Sequence, residues 1–277
     1  MSEPRPAVDA SAPIGVFDSG VGGLTVLKAL QARMPAERFV YLGDTARLPY
    51  GTKSARTVQR YAVQAAGQLV TRGVKALVVA CNTASAVALV ALREAYQPLP
   101  VFGVVDPGAA AAGRVSRSGR IGVLATESTV RGGAYQHAIL NLRRNARVFA
   151  RACPMLVTLA EDGWIDGDVP ERIVSSYLRA FLHGGESIDT LLLGCTHFPI
   201  LRDVLARVAG AGVTLVDSAE TTAQHVATAI ERTAGAALEP HAARLLLATD
   251  DRHRFARVGR YFLGEALSAE DIELIDL

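Results

Sequence analysis

Two cysteines stand out as residues whose type and spacing could do chemistry, because each closes a short apolar run and opens a polar tripeptide. One lies in Ala76-Leu77-Val78-Val79-Ala80-Cys81-Asn82-Thr83 and the other in Leu191-Leu192-Leu193-Gly194-Cys195-Thr196-His197. The apolar runs read as buried strands, so each thiol arrives at a strand's C-terminal end beside hydroxyl and amide donors. A helix starting at that point offers free N–H groups and the positive end of its dipole, which favour thiolate over the ordinary cysteine pKa of about 8.5. Two thiols facing one substrate from opposite sides suit removal of a proton from one face of a carbon and its return to the other. The third cysteine, Cys153, sits between Ala152 and Pro154 and reads as a small buried hydrophobe.

Further polar groups cluster near strand ends. Asp18-Ser19-Gly20-Val21-Gly22-Gly23-Leu24-Thr25 is a glycine-rich turn whose N–H groups favour a bound anion, a carboxylate being of suitable size. It lacks the Gly-Lys-Ser/Thr ending of a phosphate loop and the glycine spacing of a dinucleotide fingerprint. Asp18 could accept an ammonium group or assist a thiol's proton transfer. Pro49-Tyr50-Gly51-Thr52 is a turn that permits close backbone approach. His197 could tune Cys195 or donate to a carboxylate, and Glu161 is a weaker candidate.

Competing chemistries fall away. A tyrosine-phosphatase loop needs arginine six positions after its cysteine, where this chain has Val87 and Leu201. Cys-x-x-Cys redox spacing and metal-ligand spacing are absent, so no metal is expected. Neither thiol has a recognisable base-and-orienter pair of its own, which disfavours a cysteine hydrolase. Pyridoxal-phosphate chemistry needs a lysine, and the chain has only Lys28, Lys53 and Lys75. Lys28 falls inside a helical stretch, Lys75 at the base of a strand, and Lys53 has no supporting context. Cofactor-free chemistry is therefore expected.

The elements that must carry these residues alternate between β-rich runs and stretches of helical period, the pattern of an α/β fold with parallel sheets. Strands are predicted at 14–17, 39–42, 76–80 and 101–105, and helices at 24–33, 55–72 and 83–95. The pattern then restarts: Ile121-Gly122-Val123-Leu124-Ala125-Thr126 parallels Ile14-Gly15-Val16-Phe17-Asp18-Ser19 at an offset of 107, and the cysteine strands differ by 114. Two similar halves follow from this, each with a first strand ending in a hydroxyl residue and a later one ending in cysteine. Ligands of open parallel sheets bind beyond the strands' C-terminal ends, so two facing halves would share one cleft. The predicted division is an extension over 1–13, a first domain over 14–105 completed by 218–277, and a second over 106–217. A strand at 213–217, a helix at 219–232, a strand at 244–249 and a helix near 254–263 close the chain, this tail packing back on the first domain.

Bulk properties narrow the class. With 29 basic and 27 acidic residues the net charge is +2, no footprint for nucleic acid or an anionic membrane. Arg252, Arg254, Arg257 and Arg260 form the densest basic stretch and read as a solvated helix face, with acidic residues around them. Met1 to Pro13 has no apolar core of a signal peptide. The greasy run from Ala76 to Leu92 is too short and too interrupted for a membrane span. A cytoplasmic protein with reduced thiols is expected.

Taken together, these motifs resemble the cofactor-independent aspartate/glutamate racemases, and within that family its glutamate-specific branch. The resemblance is carried by the runs from Asp18 to Thr25, Leu42 to Thr45, Pro49 to Gly51, Ala80 to Ser85, Glu161 to Trp164, Gly194 to Pro199 and Val216 to Ala219. It implies two α/β domains related by pseudo-twofold symmetry, a site in the interdomain cleft, no cofactor, and interconversion of L- and D-glutamate for bacterial peptidoglycan. By resemblance, Cys81 would act on the α-proton of the D-enantiomer with help from Asp18. Cys195 would act on that of the L-enantiomer, helped by His197 and Glu161. Asp18, Ser19, Tyr50, Gly51, Asn82, Thr83, Thr196 and His197 would bind substrate, with Thr126 and Thr129 as wall residues of the second domain. Phe198 stands where the family often has tyrosine, and a homodimer is the family's default. A racemase for aspartate or another amino acid, and an inactive carboxylate-binding protein on the same scaffold, remain open alternatives at this point.

Overall fold

Ten strands form two all-parallel sheets in the computed structural model, which describes residues 9–182, 187–233 and 243–277. In chain order they are β1 (Ile14–Asp18), β2 (Phe39–Gly43), β3 (Ala76–Val79), β4 (Val101–Gly103), β5 (Arg120–Ala125), β6 (Arg147–Ala152), β7 (Thr190–Gly194), β8 (Thr214–Asp217), β9 (Arg244–Ala248) and β10 (Ile272–Leu274). One sheet has the order β10-β9-β2-β1-β3-β4 and the other β6-β5-β7-β8. The order β2-β1-β3-β4 is thus repeated as β6-β5-β7-β8, which is the duplication read from the two sequence offsets. Register agrees as well: Ile14 lies opposite Ala76 in one half and Ile121 opposite Thr190 in the other. Each cysteine follows its paired residue by the same interval, so the two thiols occupy equivalent strand ends.

Most of the central strands are continuous apolar runs, because helices cover both faces of a parallel sheet. Residues of β1, β2, β3 and β7 are all buried. Predicted and observed helices coincide at Leu24–Arg33 and nearly so at Ala55–Val70 and Asn82–Ala95. The strand expected over 101–105 stops at Gly103, since a helix begins at Val105 with Asp106 in its first turn, where a negative charge meets the helix dipole favourably. Several elements had no assignment from sequence, most of them in the second half, among them the helices Val105–Val115, Ala134–Leu142, Pro154–Glu161 and Arg202–Ala209 and the edge strands β6 and β10. β6 has residues that are only partly covered, and the helix Asp168–Leu182, likewise unassigned, buries Val174, Leu178 and Phe181.

β9 pairs with β2, and helix Arg252–Leu263 lies against helix Leu24–Arg33. A single apolar cluster runs from Ile14, Leu24 and Leu27 through Leu124 to Leu156, Leu191 and Leu201, and takes in Phe255 and Phe262 of the tail. The two halves therefore share a core as well as a cleft. Lys75, just before β3, forms a buried ion pair with Glu37 at 2.6 Å, at the end of that strand opposite Cys81. Of the predicted extension over 1–13, residues 1–8 lie outside the described residues, as do 234–242 of the tail. Among the described residues no helix is long and apolar enough to cross a membrane.

Candidate active site

Both thiols line one cavity of about 250 Å³ at the C-terminal ends of the two sheets. Pockets for drug-sized ligands run to roughly 300–1,000 Å³, so this space suits a molecule as small as a single amino acid. Ser19, Tyr50, Gly51, Thr52, Asn82 and Thr83 form one wall; Thr126, Pro154, Val157, Thr158, Thr196 and His197 form the other. Lys28, Lys53 and Lys75 are not among the lining residues.

The thiols are placed alike and partnered differently. Cys81 caps helix Asn82–Ala95, its Sγ accepting the Ala84 N–H at 3.4 Å, and its S–H lies 3.4 Å from Ser19 Oγ. These contacts do not make a thiolate of it. Burial, followed by the charge of Asp18, pushes the Cys81 thiol up to about 12, so the thiolate expected from the helix terminus is corrected here: desolvation outweighs the dipole. Cys195 is not at an α-helix N-terminus, because the chain turns first through the 3-10 segment Phe198–Leu201. Its sulfur stands 3.7 Å from His197 Nδ1.

A relay of charges extends behind Cys195. His197 Nε2 lies 3.1 Å from Glu161 Oε1, and Glu161 Oε2 accepts a hydrogen bond from Arg254 Nη2 at 2.8 Å. Burial disfavours the imidazolium, yet the hydrogen bonds to Cys195 and Glu161 win and carry His197 up to about 10. Burial also works to raise the Glu161 carboxyl, but the bond and charge of His197 together with Arg254 hold it below its ordinary range. At neutral pH a cationic ring therefore stands between a sulfur and a carboxylate. Arg254 is not simply part of a solvated basic face, as the sequence reading had it.

Asp18 is wholly buried and lies outside the lining. Its Oδ2 accepts the Gly20 N–H at 2.9 Å, so the glycine turn spends part of its N–H capacity on the chain's own carboxylate. Burial raises the Asp18 pKa against the opposing charge of His197 and the turn's N–H groups. The glycines serve close approach: a Cβ at Gly22 would lie 2.4 Å from His197 Nδ1, and one at Gly23 would lie 2.5 Å from Asp18 Cβ. Tyr50 donates its hydroxyl to Asp44, a buried carboxylate also held by Arg47 at 2.7 Å and Thr249 at 3.0 Å. With that hydroxyl engaged, Tyr50 has its ring and backbone left to offer a ligand.

Contacts across the cleft join the halves. Thr83 and Thr126 hydroxyls meet at 2.9 Å, and Thr25 donates to the Thr196 carbonyl at 2.9 Å. A Cβ on Gly51 would fall 2.9 Å from Thr126 Cβ. Thr129, 3.0 Å from Thr126, is buried behind it and outside the lining. Asn82 donates through Nδ2 to Tyr135 Oη at 2.6 Å and to Ser218 Oγ at 3.4 Å. That leaves Asn82 Oδ1, like Asp18 Oδ1, buried without a hydrogen-bond partner among the described residues. Cys153 is buried outside the lining, its S–H directed at the Arg151 carbonyl, and the Phe198 ring belongs to the core. Tyr135, Ser218, Asp44 and Arg254 had no site role in the sequence reading. Asp44 and Ser218 lie inside quoted motifs, whereas Tyr135 carries no local signal.

Comparison with known proteins agrees with this geometry. Residues 22–226 match the family model described as Asp/Glu/hydantoin racemase. A glutamate racemase of Geobacter metallireducens is 49% identical over 257 residues, 92% of this chain and 93% of that protein. The crystal structure of glutamate racemase isoform RacE1 from Bacillus anthracis superposes with a TM-score of 0.89 at 37% identity, covering 97% of this chain and 98% of that one. Glutamate racemase from Francisella tularensis, solved in complex with D-glutamate, has a TM-score of 0.88 at 33% identity, with 96% and 98% covered. The chain belongs to the Asp/Glu/hydantoin racemase family, in its glutamate racemase branch.

Proposed function

We propose that this protein interconverts L-glutamate and D-glutamate by cofactor-independent proton transfer at Cα between two thiols, supplying D-glutamate for peptidoglycan in the cytoplasm. The observation that carries the reading is the pair of equivalent strand ends delivering Cys81 and Cys195 to one amino-acid-sized cavity. In this reading residues 14–105 with 218–277 form one jaw of the cleft and 106–217 the other, and the working unit is a homodimer.

Two bases are needed because one sulfur cannot reach both faces of a carbon, and one must be protonated while the other is not. Cys195, facing the His197 imidazolium, takes the α-proton of L-glutamate. Cys81, kept protonated by burial and Asp18, delivers its proton to the opposite face. The reverse reaction starts with the proton on Cys195 and the negative charge on Cys81. The α-proton is far less acidic than a thiol, so charge developing on the substrate must be met by positioned donors. The hydroxyls of Ser19, Thr83 and Thr196 and the His197 ring serve that purpose, and the buried acceptor Asn82 Oδ1 suits the substrate ammonium.

Chiral chromatography of protein freed of pyridoxal phosphate and incubated with L-glutamate tests the activity. D-Glutamate is expected to accumulate to an equal mixture, and Cys81→Ser and Cys195→Ser each lower turnover about 10²–10⁴-fold. Absence of D-glutamate, or preferential turnover of aspartate in the same assay, would overturn the reading.

A further inference from the structure

We infer that Arg254 is a positioning residue for the Cys195 half of the reaction, holding Glu161 so that this carboxylate keeps His197 turned toward the thiol. The inference rests on the two-thiol reading above. Its starting point is an asymmetry between the duplicated halves. In β1 the terminal residue is Asp18, a buried carboxylate near Cys81. The equivalent residue of β5 is Ala125, so the second half has no carboxylate at that strand end.

Glu161 supplies one instead, from the last residue of helix Pro154–Glu161. A long side chain at a helix end has rotamer freedom that an aspartate at a buried strand end lacks. Its two oxygens are divided: Oε1 faces His197 Nε2 at 3.1 Å and Oε2 accepts from Arg254 at 2.8 Å. Arg254 comes from helix Arg252–Leu263, which packs on the first half, and its backbone N–H is fixed by the Asp251 cap at 2.9 Å. The anchor for the second thiol's relay thus reaches across from the other half of the molecule. Arg254 is 44% exposed and Glu161 20%, and ion pairs that open to solvent add little to folding. The consequence of losing this one should appear in turnover and not in stability.

The test compares Arg254→Gln and Arg254→Lys, each alone and combined with Glu161→Gln. Enantiomers have equal free energy, so kcat/KM must fall equally in both directions, but isotope effects need not change equally. Arg254→Gln is expected to lower kcat/KM about tenfold, and Arg254→Lys to recover most of it. The effect of α-deuteration should rise when starting from L-glutamate, where Cys195 takes the proton, and fall toward unity from D-glutamate. In the Glu161→Gln background, adding Arg254→Gln should cost less than about twofold, because residues acting as one unit are not additive. An unchanged kcat/KM, isotope effects that move together in both directions, or the full loss repeated in the Glu161→Gln background would overturn the inference. A wild-type protein that fails to racemise glutamate would instead overturn the functional reading on which it rests.

Discussion

Burial and the Asp18 charge hold the proton on Cys81, whereas Cys195 looks at an imidazole kept cationic by Glu161 and the sulfur itself. The difference has a consequence in pH. His197 is raised from its ordinary value near 6.5 to about 10, so its charge persists through neutral pH and is lost as pH climbs through about 10. Turnover of the wild type is expected to decline on that alkaline limb. Glu161→Gln removes one of the causes that raise the ring, and should move the limb to lower pH; kcat/KM measured between pH 7 and 11 reads both. At this scale the sequence was informative about which atoms and poor about their protonation. Cys81, Cys195, Ser19, Asn82, Thr83, Thr196 and His197 were legible because each follows directly on a strand end. The raised Cys81 thiol was not legible, because helix-terminus electrostatics are local, whereas desolvation and the Asp18 charge arise from distant chain segments. Arg254 was missed for the same reason: its partner is 93 positions away.

Short elements set the precision of the site. The turn after β1 runs so close to the second half that Gly22 faces the His197 ring, with space for a hydrogen only. Gly22→Ala forces ring or turn to move, and overpacking of this kind costs about 1–3 kcal/mol. For a chain of this length that is roughly 2–4 °C of melting temperature per kcal/mol, read by thermal denaturation. The same variant should lose activity by more than its stability loss explains, since the displaced ring is the one beside Cys195. Strand ends and helix starts in the first half were legible from apolar runs, glycine turns and caps. At the glycine turn Asp18 itself takes the Gly20 N–H. Only the folded turn reveals that the acceptor is internal. β6 escaped notice since an edge strand carrying Arg147 and Arg151 has no continuous apolar run, and the second wall from Pro154 to Thr158 offered no polar motif.

The whole molecule separates stability from chemistry along the strand direction. Reactive groups gather at the C-terminal ends of both sheets, while the buried Lys75–Glu37 pair closes the opposite end. Lys75→Met strands a buried carboxylate and should cost about 3–5 kcal/mol, measured by urea denaturation, while KM for glutamate stays unchanged. The duplication was legible in two sequence offsets because parallel sheets place equivalent residues at equivalent strand ends. What no repeat could tell is that the two copies diverged in what surrounds each thiol, the charge of Asp18 by Cys81 and the chain of His197, Glu161 and Arg254 behind Cys195. In the proposed reaction the two thiols serve opposite faces of one carbon. Early conversion of L-glutamate in D2O checks this, with deuterium at Cα quantified separately in substrate and product. Two thiols predict D-glutamate carrying solvent deuterium from the first turnovers while the remaining L-glutamate stays unlabelled; D-glutamate that retains the substrate's own proton, or equal labelling of both pools from the outset, would contradict it.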